Sequence, residues 1–110
     1  MDITITARHF KAHDSLRMYA FDAVKKLERY YNGIISANVI LSYEKAQRSV
    51  KKAEFHINVY GTLIKALEKS DDFMKSIDSA MEKAERQIRK YKGKQREKYK
   101  IVIRQAQAKV

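Results

Sequence analysis

The chain has 110 residues, enough for one domain with a single modest core but not for two. It carries 24 Lys or Arg against 13 Asp or Glu, a formal net charge of +11, and no cysteine, which excludes disulfides and thiolate metal sites. A hydrophobic share of 45% argues against a disordered basic tail, and no apolar run approaches the roughly 20 residues of a membrane span.

Met1-Asp2-Ile3-Thr4-Ile5 has neither a basic start nor a long apolar stretch, so it is not a secretory signal, and a soluble cytoplasmic protein is expected. Ile3, Ile5 and Ala7 alternate with Thr4 and Thr6, the period of a strand with one buried face. His13, Asp14 or Ser15 opens a helix, with Asp14 placed to cap it. Leu16, Ala20, Ala23, Val24, Leu27 and Tyr31 then form its apolar stripe, and Asn32-Gly33 is expected to end it in a left-handed conformation. Ala37, Val39, Leu41 and Tyr43 mark a second strand running to about Lys45. Ala53, Phe55, Ile57 and Val59 alternate with polar neighbours in a third. Gly61 supplies a tight turn into a fourth strand near Leu63–Lys69, paired antiparallel. Ser70-Asp71-Asp72 caps a second helix, whose core stripe is Phe73, Ile77, Ala80, Met81, Ala84, Ile88 and Tyr91. Gly93 is expected to close it. The segment 94–110 is left open between frayed helix, extended tail and partner-ordered segment.

The order β-α-β-β-β-α gives an α+β fold: a four-stranded mixed sheet with two helices packed on one face. A right-handed first crossover makes strands 1 and 2 parallel and the rest antiparallel. The expected organisation is a binding domain over 1–93 and a basic tail over 94–110.

Charge is the informative feature. Residues 83–110 hold eleven Lys or Arg against Glu85 and Glu97, whereas residues 1–82 hold 13 basic and 11 acidic side chains. Such asymmetry is the footprint of a polyanion-binding surface, and nucleic acid is the partner it fits best. Lys75, Ser79, Lys83, Arg86 and Lys90 share a helix face turned away from the apolar stripe. Pairing of Glu82 with Arg86 and of Glu85 with Arg89 tempers those arginines, while Lys83, Lys90, Lys92 and Lys94 are expected to be free for phosphates. Lys25, Lys26 and Arg29 continue the stripe if the helices lie side by side. The candidate RNA-binding residues are therefore Lys25, Lys26, Arg29, Lys75, Lys83, Arg86, Arg89, Lys90, Lys92, Lys94 and Arg96. A charged helix face is often only a solvated face, and cations near a helix C-terminus are favourable in any protein. Eleven basic residues against two acidic ones exceed what that explanation needs.

Tyr30, Tyr31, Phe73 and Tyr91 are expected to pack in the core or between helices. Tyr60 and His56 are placed on the helix-free sheet face, with Leu63 and Leu67 beside them if Ile64 and Ala66 are buried. Catalysis is not indicated: His9, His13 and His56 lack metal-ligand spacing, and there is no glycine-rich phosphate loop. His13-Asp14 sits at a helix start with no nucleophile. Neither cofactor, metal nor small-molecule substrate is expected, and the oligomeric state of the free protein is left open, a monomer being allowed.

Three segments carry a family likeness: Lys26-Leu27-Glu28-Arg29-Tyr30-Tyr31, Asp72-Phe73-Met74-Lys75-Ser76-Ile77-Asp78, and Lys83-Ala84-Glu85-Arg86-Gln87-Ile88-Arg89-Lys90-Tyr91-Lys92. With Ile3-Thr4-Ile5-Thr6 and the element order, residues 1–94 resemble the ribosome hibernation-promoting factor and ribosome-associated inhibitor family. The resemblance implies binding to the small ribosomal subunit near the decoding region, between head and body. There the protein would overlap tRNA and mRNA positions and silence translation in stress or stationary phase. It implies rRNA-facing roles for Lys26, Lys83, Arg86, Lys90, Lys92 and Lys94. The family's usual Asp-Met-Tyr is Asp72-Phe73-Met74 here, a preceding glycine is Ser70, and basic residues common in the first helix are Asp22 and Ala23. A counterpart of the long members' C-terminal dimerisation domain is not expected. The alternatives are a general double-stranded RNA-binding module, disfavoured by Asp71 and Asp72 where that fold presents lysines, and a small RNA-processing enzyme.

Overall fold

The computed structural model describes the backbone of residues 1–108 and the side-chain surroundings of residues 1–94. Period-two alternation builds β1 (Asp2–Ala7), β2 (Ile34–Tyr43), β3 (Lys51–Val59) and β4 (Thr62–Ser70); period-3.6 stripes build α1 (Asp14–Glu28) and α2 (Phe73–Ala108). The strands lie in the order β1-β2-β3-β4. β1 runs parallel to β2 with Ile5 opposite Val39, and the other pairs are antiparallel, as the crossover rule requires.

Register puts Val39, Phe55 and Ala66 side by side on one face of the sheet. Both helices cover that face. Val24 and Leu27 of α1, with Ile77, Ala80, Ala84 and Ile88 of α2, close a core in which Phe55 and Ile57 have no solvent exposure. The opposite face carries Thr4, Asn38, His56 and Lys65 in adjacent register and has no helix over it. As expected from Ile64 and Ala66 being buried, Leu63 and Leu67 are exposed on that face, and Tyr60 stands in the turn at 84% exposure. Gly61 holds φ 77° in this turn, a conformation that suits a residue without Cβ.

The helix ends depart from expectation in three places. At the start of α1 the N-cap is His13, with no side-chain bond to the helix, and Asp14 is the first helical residue. Its carboxylate acts on the positive end of the dipole rather than as a cap. The end of α1 comes at Glu28, not at Asn32-Gly33. The amides of Arg29 and Tyr30 reach back to Lys26 and Leu27 at 3.2 and 3.1 Å, tightening the last turn, and Gly33 is not left-handed. What Gly33 provides is space, since a Cβ there would lie 2.4 Å from the Tyr31 ring. Finally, Gly93 does not end α2, which continues through it to Ala108. One glycine weakens a helix by only about 1 kcal/mol, and no proline follows to stop it.

The start of α2 follows the sequence closely. Asp72 Oδ1 accepts the Met74 N–H at 2.9 Å, and the Ser70 hydroxyl accepts the Asp72 N–H at 3.2 Å. Ser76, fully buried, donates to the Lys51 carbonyl at 2.7 Å and meets the Ser70 hydroxyl at 2.6 Å. Ser70 thus ties the end of β4 to the start of α2.

Candidate nucleic-acid interface

α2 lies between α1 and the β4 edge, and each side is fastened by polar contacts. Towards β4, Gln87 donates to the Lys65 carbonyl at 2.7 Å, and Lys83 approaches Glu68 at 3.9 Å. Towards α1, the Tyr19 hydroxyl donates to Asp78 at 2.6 Å, and Lys92 donates to the Tyr30 carbonyl at 2.7 Å. The Asp78 bond holds the Tyr19 hydroxyl above its ordinary pKa. Lys75, Ser79, Arg86, Arg89 and Lys90 occupy the exposed ridge between these two flanks.

The predicted stripe is therefore modified. Lys83 is half-buried and leans over Glu68, so it is not unpaired; Lys92 is engaged by the α1 terminus and lies 5.8 Å from the Tyr31 ring. Glu85 pairs with Arg89 at 2.5 Å, as spacing predicted, and Lys75 pairs with Asp71 at 3.3 Å. Glu82 and Arg86 form no ion pair among the described residues, which leaves the Arg86 guanidinium available. Lys90 and Lys94 line an open groove between α2 and β4, with Leu63 and Tyr91 on its walls. Arg96 lies beyond the residues whose side chains are described.

The α1 cluster does come alongside α2. Lys26 and Arg29 border a groove of about 330 Å³ whose far wall is Asp78 and Met81. Lys25 turns to Glu28 at 3.8 Å and lies 5.7 Å from the Phe21 ring. The carboxylates of Asp22 and Asp78 interrupt the positive surface in the middle of this groove. Continuity is restored at the C-terminal end, where Tyr30 takes the Arg89 guanidinium over its ring at 6.0 Å and the Lys92 ammonium on its carbonyl. Tyr30, expected to be a packing residue, is 44% exposed and is the junction of the two basic clusters. The alternation of Lys, Arg and Tyr at the end of α1 was its only sequence signal. Tyr31, Phe73 and Tyr91 do pack, with Tyr31 and Tyr91 edge to face at 5.7 Å. Burial raises the Tyr31 pKa. His56 is hydrogen-bonded to Glu54 on the helix-free face, with 27% of its side chain exposed.

This arrangement is a rigid cationic ridge with an exposed aromatic at one end. It offers point charges and planar donors to phosphates, which fix position without reading sequence. A family defined as sigma 54 modulation protein / S30EA ribosomal protein matches residues 3–96. The chain belongs to that family. A ribosome hibernation promoting factor from Azotobacter vinelandii is 32% identical over 98 residues, covering 89% of each chain. A ribosome hibernation promotion factor from Staphylococcus aureus (strain COL) is 35% identical over 79 residues, 72% of this chain but only 42% of that protein. Among solved structures, a ribosomal subunit interface protein from Coxiella burnetii superposes with a TM-score of 0.77 at 26% identity, over 84% of this chain and 99% of that one. The Thermus thermophilus Protein Y N-terminal domain gives 0.72 at 27% identity, over 83% and 99%. S30EA-family membership thus extends over both helices and all four strands, the elements that place the ridge.

Proposed function

We propose that this protein is a non-enzymatic ribosome hibernation factor. It binds the small ribosomal subunit near the decoding region, occludes tRNA and mRNA positions, and silences translation in stress or stationary phase in the cytoplasm. Residues 1–93 act as the binding body, and the segment 94–110 adds positive charge to it. The observation that carries this reading is the coincidence of S30EA-family membership with a ridge on which Arg86 and Lys90 project into solvent without a carboxylate partner among the described residues. Occlusion needs a stiff body held by phosphate contacts, and a helix fastened to a sheet on both flanks is such a body.

Purified protein is expected to co-sediment with small subunits at low salt and to lower the yield of a cell-free translation reaction. Replacing Lys83, Arg86 and Lys90 together by Glu should abolish both effects. Unchanged co-sedimentation of that variant would remove α2 from the interface. Equal affinity for a plain RNA duplex and for small subunits would favour the general double-stranded RNA module instead. Asp72 counts against that module, because it occupies the start of α2 as a cap where a phosphate-facing lysine would be needed.

A further inference from the structure

The remaining positive charge is not spread evenly over the fold. Arg8 follows β1, Lys45 and Arg48 lie in the β2–β3 connection, and Lys52 is the second residue of β3; the parallel β1–β2 pairing and the β2–β3 hairpin bring all four together. With His9 and Tyr43 they line one groove of about 350 Å³. None of these four basic side chains takes part in an ion pair among the described residues. The carboxylate in the groove, Glu44, is already held by Lys69 at 3.0 Å, and that hydrogen bond keeps its pKa below the ordinary value. Two further carboxylates at this end are also engaged: Asp71 pairs with Lys75, and Asp72 caps α2. With four cations against the single carboxylate of Glu44, which Lys69 holds and Lys52 also attracts, the groove keeps a net positive charge. It has an aromatic wall as well: the Arg48 guanidinium lies 5.6 Å from the Tyr43 ring, which is fixed from behind by Phe10 and Phe73.

This groove and the Lys90 end of α2 sit at opposite ends of the sheet. Lys90 is beside Thr62 and Leu63 at the start of β4, whereas Lys52 is near the start of the antiparallel β3. The length of β3, roughly 3.3 Å per residue over Lys51–Val59, separates them by about 26 Å.

We infer that the Arg8–Lys45–Arg48–Lys52 groove is a second RNA-binding site, gripping the phosphodiester backbone of an rRNA strand separate from the one at the Arg86–Lys90 end of the α2 ridge. The protein is then a two-ended clamp, held by phosphates at both poles. This rests on the ribosome-binding reading for the identity of the strand, but not for the chemistry of the groove.

The test uses the full chain, a variant with Arg8, Lys45 and Arg48 all changed to Ala, and the α2 variant described above. Two probes are titrated against salt: small ribosomal subunits, and a fluorescent oligouridylate roughly 12 nucleotides long. The groove variant should melt within a degree or two of the parent, since all three residues are exposed. It should bind each probe at least tenfold more weakly, and the slope of log affinity against log salt should fall by roughly 2, at about 0.7 per lost contact. Unchanged affinity and slope on both probes would overturn the second site. Loss of oligouridylate binding in the groove variant, with no small-subunit binding by the parent, would support the groove and refute the hibernation reading. Binding of neither probe by the parent would refute both.

Discussion

Single side chains here do two kinds of work, and the difference is measurable. Phe55 has no solvent exposure and sits between β2, β4 and α2, so Phe55→Ala should destabilise the fold by roughly 3–5 kcal/mol in denaturant titration. Asp72→Ala removes the bond to the Met74 amide and should cost about 1 kcal/mol. Glu44 behaves differently because its effect depends on pH. Its folded pKa is lowered by the Lys69 hydrogen bond, so its contribution is complete above the ordinary carboxylate pKa and fades as pH falls through the folded value. Glu44→Gln should therefore lower the melting temperature at neutral pH, and the gap to the parent should close in acid. A gap that stays constant with pH would show that the Glu44–Lys69 pair contributes nothing through charge.

At the level of the elements, strands were legible because each buries one face, and period-two alternation is the direct record of that. The pairing of Ile57 with Ala37 on one side and Ile64 on the other needs only the hairpin turn at Gly61 and the hydrophobic register. Helix termini were less legible, because tertiary contacts decided them. The ring of Tyr31 folds over Gly33 to meet Tyr91, a residue 60 positions away, and this ends α1 before Asn32 is reached. No local signal encodes that contact. Gly93 misled for the opposite reason: it looks like a stop, but nothing around it demands a left-handed turn. A Cβ added there meets no atom within 4 Å. Gly93→Ala should accordingly stabilise the protein by about 0.5–1 kcal/mol and raise its helical circular dichroism. Destabilisation would mean that α2 does end there.

Across the whole molecule, the sequence reports charge in linear order while a ligand meets it in three dimensions. The run at 83–110 is dense enough to be seen without a structure. Lys45, Arg48 and Lys52 lie within eight residues of one another between Glu44 and Glu54, and the sheet register adds Arg8 to them and sets Lys69 against Glu44. For the same reason Lys83 and Lys92 looked free in the sequence, whereas Glu68 and the Tyr30 carbonyl, their partners, lie on other elements. The claim on which the proposed function stands is that the α2 ridge holds rRNA phosphates. It is tested most directly by the affinity of the full chain for purified small subunits between about 50 and about 200 mM salt, alongside the variant in which Lys83, Arg86 and Lys90 are Glu. The expected result is a steep linear fall of log affinity with log salt for the parent and no measurable binding by the variant. Binding that is indifferent to salt, or a variant that binds as tightly as the parent, would contradict it.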